Sequence, residues 1–252
     1  IQRILWSEDS NSSTAGVWLV GSNVGKVFRS TDGAAQWVEL TKGASELPAN
    51  WGTDTVIGMT ANGSGDWLMA QGSRLFKSTN NGASFTEVSH GISNVQKFLG
   101  VIYSNNSYVV VYDRDDNDKV YARSAAASDL TTWSSEIDYD PIKEPGTAGQ
   151  IENVRLAANP NGRVVFVSAD RTGVGFLDVN GTTISNNTIV GAAVTAARDI
   201  ATDGEGTWLV TCEDGEIFES TNNGASWTRI VQDFPAADCN INCIASNHYL
   251  PL

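Results

Sequence analysis

The chain contains no run of apolar residues approaching about 20, so no segment has the length of a membrane-spanning helix. Histidine occurs twice, at His90 and His248, and no Cys-x-x-Cys spacing exists, so a zinc site lacks its usual ligand set. Bases are scarce: 16 Lys and Arg stand against 29 Asp and Glu, a net charge of −13. Nucleic acid attracts a basic face, so this balance argues against it as a partner. Sustained 3.6-residue periodicity is absent too, which argues against a helical fold. No secretion signal is visible, and the first residue is Ile1 rather than Met, which leaves room for an upstream segment. The three cysteines are Cys212, Cys239 and Cys243. A disulfide from Cys212 to either of the others would tie the chain's end to the preceding repeat, with the choice left open by the odd count.

What is present is a set of short alternating strands between Gly, Asn and Asp turns, the pattern of an all-β chain. One strand recurs as an aromatic followed by aliphatics: Trp18-Leu-Val, Trp67-Leu-Met, Tyr108-Val-Val and Trp208-Leu-Val, with Val164-Val-Phe-Val167 in the remaining slot. Because they repeat, Trp18, Trp67 and Trp208 read as core. Another strand recurs as Lys26-Val-Phe-Arg-Ser30, Arg74-Leu-Phe-Lys-Ser78 and Glu216-Ile-Phe-Glu-Ser220.

Each of those last strands opens a common phrase: Ser30-Thr-Asp-Gly-Ala-Ala-Gln-Trp37, Ser78-Thr-Asn-Asn-Gly-Ala-Ser-Phe85 and Ser220-Thr-Asn-Asn-Gly-Ala-Ser-Trp227. Asp32, Asn80 and Asn222 suit a turn because a short polar side chain bonds nearby amides. Gly82 and Gly224 supply a positive φ; Ala34 replaces the glycine in the first copy, which is expected to be distorted. The closing aromatics Trp37, Phe85 and Trp227 are expected to bury themselves beneath the turn. The phrase resembles the Asp-box, or BNR repeat, of sialidase-like β-propellers, where it is a structural turn remote from the active centre.

The first two copies begin 48 residues apart, and a spacing of about 40–50 with strand content means propeller blades. A stretched copy runs from Ser124 to Trp133, and Phe176–Gly181 fills a slot without the phrase. The expected fold is one domain over residues 1–252, a β-propeller of four-stranded antiparallel blades. Five complete blades fall at about 1–42, 54–90, 96–138, 151–190 and 194–232, and a partial sixth at 239–252. Within that stub, Asn242–Ser246 is expected near the central axis, with blades one and five on either side.

The resemblance implies a test for glycoside chemistry. Sialidases use three arginines, a Tyr–Glu nucleophile pair and an Asp acid. Their early Arg-Ile-Pro is absent, Arg3-Ile-Leu being the nearest match, and Arg29, Arg74 and Arg123 recur as repeat positions. Carboxylate pairs for hydrolysis would come from Asp113, Asp138, Asp140 or Asp214. The chain also resembles photosystem II assembly factors through the same phrase, but it is shorter, acidic and without their arginine cluster. The reading is therefore a non-catalytic propeller that recognises or builds an extracellular or virion-type assembly. Its partners are expected to be other protein subunits, or a glycan, with no nucleic acid and no membrane insertion.

Long links between blades carry recognition on such scaffolds. Trp51, in the link 41–55, and Tyr139, in the link 138–152, are the candidate stacking residues for a sugar or a partner protein. Asp113, Asp115 and Asn117 alternate as Ca²⁺ ligands do in a loop, although the same stretch reads equally as a solvated hairpin tip. The acidic surplus keeps β edges solvated in one reading; in the other it attracts a cation or a basic partner.

Overall fold

A computed structural model describes residues 3–7, 16–43, 45–114, 117–138, 154–168, 172–212, 215–230 and 244. They form five four-stranded antiparallel sheets, each in chain order. Blade one holds β1 (Arg3–Ser7), β2 (Val17–Gly21), β3 (Val27–Ser30) and β4 (Val38–Glu39). Blade two holds β5 (Val56–Ala61), β6 (Trp67–Gln71), β7 (Arg74–Ser78) and β8 (Thr86–Val88). Blade three holds β9 (Val95–Ser104), β10 (Ser107–Arg114), β11 (Asn117–Ala126) and β12 (Ile137–Asp138). Blade four holds β13 (Val154–Ala158), β14 (Arg163–Ser168), β15 (Thr172–Asn180) and β16 (Thr183–Thr195). Blade five holds β17 (Ala197–Thr202), β18 (Trp208–Cys212), β19 (Ile217–Ser220) and β20 (Thr228–Ile230). No helix occurs among the described residues. The fold is the expected all-β propeller, with blade four's outer strand running to Thr195 where a boundary near 190 was expected.

The blades stand side by side because every strand alternates its side chains between two faces. The first strands neighbour one another in the order β1, β5, β9, β13, β17. Four apolar clusters fill the four junctions between consecutive blades. Leu19, Trp67 and Phe85 belong to the first, Leu68, Tyr108 and Val110 to the second. Val109, Val164 and Leu177 belong to the third, Val165, Trp208 and Phe218 to the fourth. Second strands of the middle blades are thus enclosed on both faces, as β6 shows along its whole length. In the end blades one side of the strand is less covered: Trp18 in β2 and Leu209 in β18 are only half-buried. Ile244 lies at the blade-five end, its N–H donating to Asp199 Oδ2 at 3.0 Å from the first strand of that blade. The rest of the expected inner strand of the stub lies outside the described residues.

The repeated phrase forms one turn three times. Ser30 Oγ donates to Asp32 Oδ1 (2.8 Å), Ser78 Oγ to Asn80 Oδ1 (2.9 Å) and Ser220 Oγ to Asn222 Oδ1 (3.0 Å). Each serine oxygen then accepts the N–H of the residue four positions on, Ala34, Gly82 or Gly224. Those three residues have φ of 69°, 70° and 82°. Only the glycines adopt that region without strain, so the turn at Ala34 persists at a cost. The stretched copy in blade three closes differently, with Ser134 N–H donating to Ser124 O.

The aromatics correct the expectation of uniform burial. Phe85 is 3 % exposed, Trp227 is half-buried and Trp37 is 37 % exposed. Coverage comes from the neighbouring blade rather than from the turn itself: Phe85 packs in the cluster between blades one and two, with Leu40 and Leu47.

Candidate functional site

Trp51 is not a stacking platform. It is 3 % exposed, its ring lies 4.4 Å from that of Phe76, and its indole N–H donates to Gly25 O at 2.6 Å. The link folds inward because Gln71, fully buried at the end of β6, anchors it. Gln71 Oε1 accepts Gly52 N–H while Nε2 donates to Gly52 O and Asp54 O. An apolar ring beside a satisfied amide is sealed from water, so the link is a wall between blades one and two. Tyr139 lies outside the described residues.

Asp113 is 2 % exposed and belongs to β10, opposite Val120 on one side and Lys97 on the other. It is a strand residue enclosed by the sheet, so it does not sit at the tip of a cation-wrapping loop. Asp115 and the side chain of Asn117 lie outside the described residues, as do Asp140 and Asp214. Asp138 is exposed at the end of β12. Among the described residues no group of three or more His, Cys, Asp or Glu side chains converges as metal ligands do. Cys212 is 1 % exposed in β18, and its two candidate partners lie outside the described residues.

A Tyr–Glu pair does exist, between residues whose spacing along the chain does not reveal their pairing. Tyr112 O–H donates to Glu136 Oε2 at 2.5 Å, Arg123 Nε–H donates to the Tyr112 oxygen at 3.1 Å, and Arg114 reaches Glu136 Oε1 at 2.7 Å. Its setting is unlike that of a nucleophile. Tyr112 is fully buried, stacked on Tyr121 and edge-on to Phe98, and burial pushes its hydroxyl well above the ordinary phenol range. The network locks β10, β11 and the stretch before β12 within blade three. Arg3 lies elsewhere, on the first strand of blade one. Its Nε–H donates to Ile57 O at 2.7 Å, and burial followed by the nearby Arg155 pull its pKa down, against the opposing pull of Asp199. Tyr112 is bonded to Arg123 and Glu136 within blade three, whereas Arg3 bonds a carbonyl of blade two.

A recurring contact at the blade junctions was missed in the sequence. At each junction a donor of one blade reaches a backbone carbonyl in the outer hairpin of the next. Arg29 Nε donates to Asn81 O at 3.0 Å, Lys77 Nζ to Ala127 O at 3.2 Å, Asn105 Nδ2 to Val179 O at 3.0 Å and Arg163 Nη1 to Asn223 O at 2.8 Å. Three of these four donors are cations. The signal was present, since Arg29 and Lys77 immediately precede the serine of the repeated phrase. Arg123 holds the same position in blade three but turns to Tyr112 and Ser134 of its own blade, which leaves that junction to Asn105.

The large apolar side chains left exposed among the described residues, Ile4 (57 %), Val24 (54 %), Trp37 (37 %) and Val38 (62 %), all belong to blade one. No family model matches the chain, and no curated protein does. Its solved neighbours are β-propellers. PorZ, a surface component of the type-IX secretion system of Porphyromonas gingivalis, superposes with a TM-score of 0.62 at 16 % identity, covering 97 % of this chain and 36 % of PorZ. YCF48 from Cyanidioschyzon merolae gives 0.55 at 15 % identity, over 85 % of this chain and 69 % of its own. Nidogen, from a complex with laminin, gives 0.50 at 9 % identity, over 81 % and 70 %. At these identities the likeness is one of fold.

Proposed function

We propose that the chain is a non-catalytic β-propeller that binds other protein subunits within a larger extracellular or virion-type assembly. The observation that carries this reading is the concentration of exposed apolar side chains on a single blade, Ile4, Val24, Trp37 and Val38. Exposed apolar side chains gathered on one blade of an otherwise acidic protein are where another chain is expected to bind. Burial of Tyr112 and Trp51 supports the same reading, since it withdraws a nucleophile and a sugar platform from the surface. The repeated turn acts as an Asp-box, a structural device that holds the outer hairpins of blades one, two and five. The Ser-, Thr- and Asn-rich turns and the scarcity of lysine support a particle-borne or extracellular setting.

The test has two arms. Fluorogenic sialosides and aryl glycosides should turn over no faster than with a heat-killed control. The double variant Val24→Asp/Val38→Asp should melt as the wild type does yet lose co-sedimentation with the assembly from which the chain is purified. Turnover abolished by replacing one carboxylate would overturn the first arm, and undiminished co-sedimentation the second.

A further inference from the structure

Two of the junction contacts, those of Asn105 and Arg163, border one recess of about 400 Å³ shared by three blades. Asn105 comes from the β9–β10 turn of blade three, Asn161, Arg163 and Asp178 from blade four, and Asn223 from the repeated turn of blade five. The charges of the lining form a locked pair. Arg163 Nε and Nη2 donate to Asp178 Oδ1 and Oδ2 at 2.5 and 3.0 Å, and the guanidinium lies 4.2 Å from the centre of the Phe176 ring. Two amides are held in one orientation each. Asn105 Nδ2 donates to Val179 O at 3.0 Å, which makes Oδ1 the acceptor end of that amide. Asn223 Oδ1 accepts from Asn159 Nδ2 at 3.1 Å and from the Trp208 indole N–H at 3.3 Å, which makes Nδ2 its donor end. The turn joining β13 and β14 touches both amides: Asn105 Nδ2 lies 3.3 Å from the Cβ position of Gly162, and Asn159 bonds Asn223. Thr183 and Ser185 of β16, both exposed, add two hydroxyls.

This lining excludes several ligand classes. Val179 is the one apolar residue among the described residues that line it, and none of them is aromatic, so an apolar side chain or a lipid gains nothing by entering. Arg163 and Asp178 cancel, so a phosphate, a carboxylate or an ammonium finds no surplus charge. What the recess does offer is a fixed acceptor, a fixed donor and hydroxyls that do both, and a hydroxyl-bearing ring answers that pattern because each O–H donates and accepts at once. We propose that the recess between blades three, four and five binds a neutral pyranose sugar. One sugar hydroxyl donates to Asn105 Oδ1, another accepts from Asn223 Nδ2, and Thr183 and Ser185 meet those at the mouth. Protein contacts already hold both amides, so binding orders little of the chain. The absence of an aromatic platform keeps the affinity low. The inference does not depend on the protein-binding reading, whose residues lie on blade one.

The probes are methyl α-D-mannopyranoside and methyl β-D-galactopyranoside, which differ in the orientation of their hydroxyls. N-acetylneuraminic acid is the anionic comparison, and N-acetylglycinamide supplies amides without hydroxyls. Each is titrated into the full isotope-labelled chain while the side-chain amide resonances of Asn105 and Asn223 are followed. At least one pyranoside should shift both amides saturably, and the two comparison compounds should shift neither. Thr183→Tyr, a change on the exposed outer strand, should fill the mouth, leave the melting temperature unchanged and weaken binding about tenfold. Asp178→Asn leaves Arg163 unbalanced, so N-acetylneuraminic acid should now shift the Asn223 amide, a gain that loss of fold cannot mimic. Failure of both pyranosides to shift the amides, or shifts that Thr183→Tyr leaves untouched, would overturn the proposal. An equal response to N-acetylglycinamide would assign the recess to a peptide backbone, and a response of the unaltered protein to N-acetylneuraminic acid would make it an anion site; either overturns it. No gain in the Asp178→Asn protein would overturn the choice of a neutral ligand. Thr183→Tyr should keep the co-sedimentation that Val24→Asp/Val38→Asp loses, so failure of the sugar site and failure of the protein-binding reading are read separately.

Discussion

Blades one and two carry the same turn and put it to different use. In blade two, Asn81 and Gly82 are buried, Phe85 is sealed, and Leu19 of blade one comes within 3.0 Å of where a Gly82 side chain would begin. In blade one, Gly33 is exposed, Ala34 takes the place of the glycine, and Trp37 is 37 % exposed. Hydrogen bonds inside the two turns are nearly identical, so local chemistry does not explain the difference. The blade that precedes does: blade two has blade one against it, and blade one has no counterpart among the described residues. In a propeller the turn is written in the sequence, while its burial is decided by the neighbour.

The aromatic series tests this most strongly. Phe85→Ala should destabilise the protein by about 3–4 kcal/mol, because a fully buried ring leaves a cavity that the clustered Leu40 and Leu47 cannot fill. Trp227→Ala should cost about 2 kcal/mol, less than a buried ring, since the indole is half-buried against blade four and donates to Gly224 O at 3.2 Å. Trp37→Ala should cost under about 0.5 kcal/mol, as an exposed side chain does. Urea midpoints of the three variants give the ranking. Equal losses at Trp37 and Phe85 would mean that the turn itself carries the energy.

The glycine position inverts the expected sign between the blades. Gly82→Ala should destabilise by about 1–2 kcal/mol, through positive φ and the approach of Leu19. Ala34→Gly should stabilise by about 0.5–1 kcal/mol, because it relieves the same φ. Thermal melts of both variants decide it; a destabilised Ala34→Gly protein would show that Ala34 makes contacts worth more than its strain.

Blade order and the core aromatics were legible in the sequence because they repeat. Trp67 and Trp208 follow from one position on one strand and are buried as expected, whereas Trp18, read as core on the same ground, is only half-buried. The stretched copy from Ser124 to Trp133 was legible from its ends alone, and the structure closes it by Ser134 on Ser124. Trp51 was misplaced because a link has no period, and nothing local says whether a loop aromatic faces in or out. Its anchor, Gln71, is a single polar residue at a strand end, in a slot occupied by other residue types in the other blades. Asp113 was read as loop because acids crowd Asp113–Asp118, but pairing with Val120 extends β10 past it. The Tyr112–Glu136 pair spans 24 residues across one sheet, a distance over which chain spacing carries no register. Reading Arg29 and Lys77 as a column required knowing which carbonyl each one meets.

The smallest expected effect separates the two turns by charge. Blade one has Asp32 where blades two and five have Asn80 and Asn222. Asp32 Oδ1 accepts the Gln36 N–H at 2.9 Å and the Ser30 hydroxyl at 2.8 Å, and these hydrogen bonds hold its carboxyl below the ordinary carboxylate value. A folded-state pKa below the unfolded one means that ionised Asp32 contributes stability above its unfolded value, about 3.9, and that the contribution is lost as pH falls through the folded value. The asparagines titrate nothing; each instead donates its Nδ2 to a serine four residues on, Asn80 to Ser84 at 2.8 Å and Asn222 to Ser226 at 2.7 Å. Blade one has Gln36 in that place. Asp32→Asn should therefore lower the urea midpoint slightly at pH 7, having lost the charge and gained a donor with no serine to meet. The gap to the wild type should close as pH is taken from 5 to 2. Asp32→Asn/Gln36→Ser rebuilds the blade-two pair and should recover the midpoint at pH 7 while losing its dependence on acid. A gap that stays constant down to pH 2 would show that the Asp32 charge contributes nothing to the turn, and that the two blades differ by coverage alone.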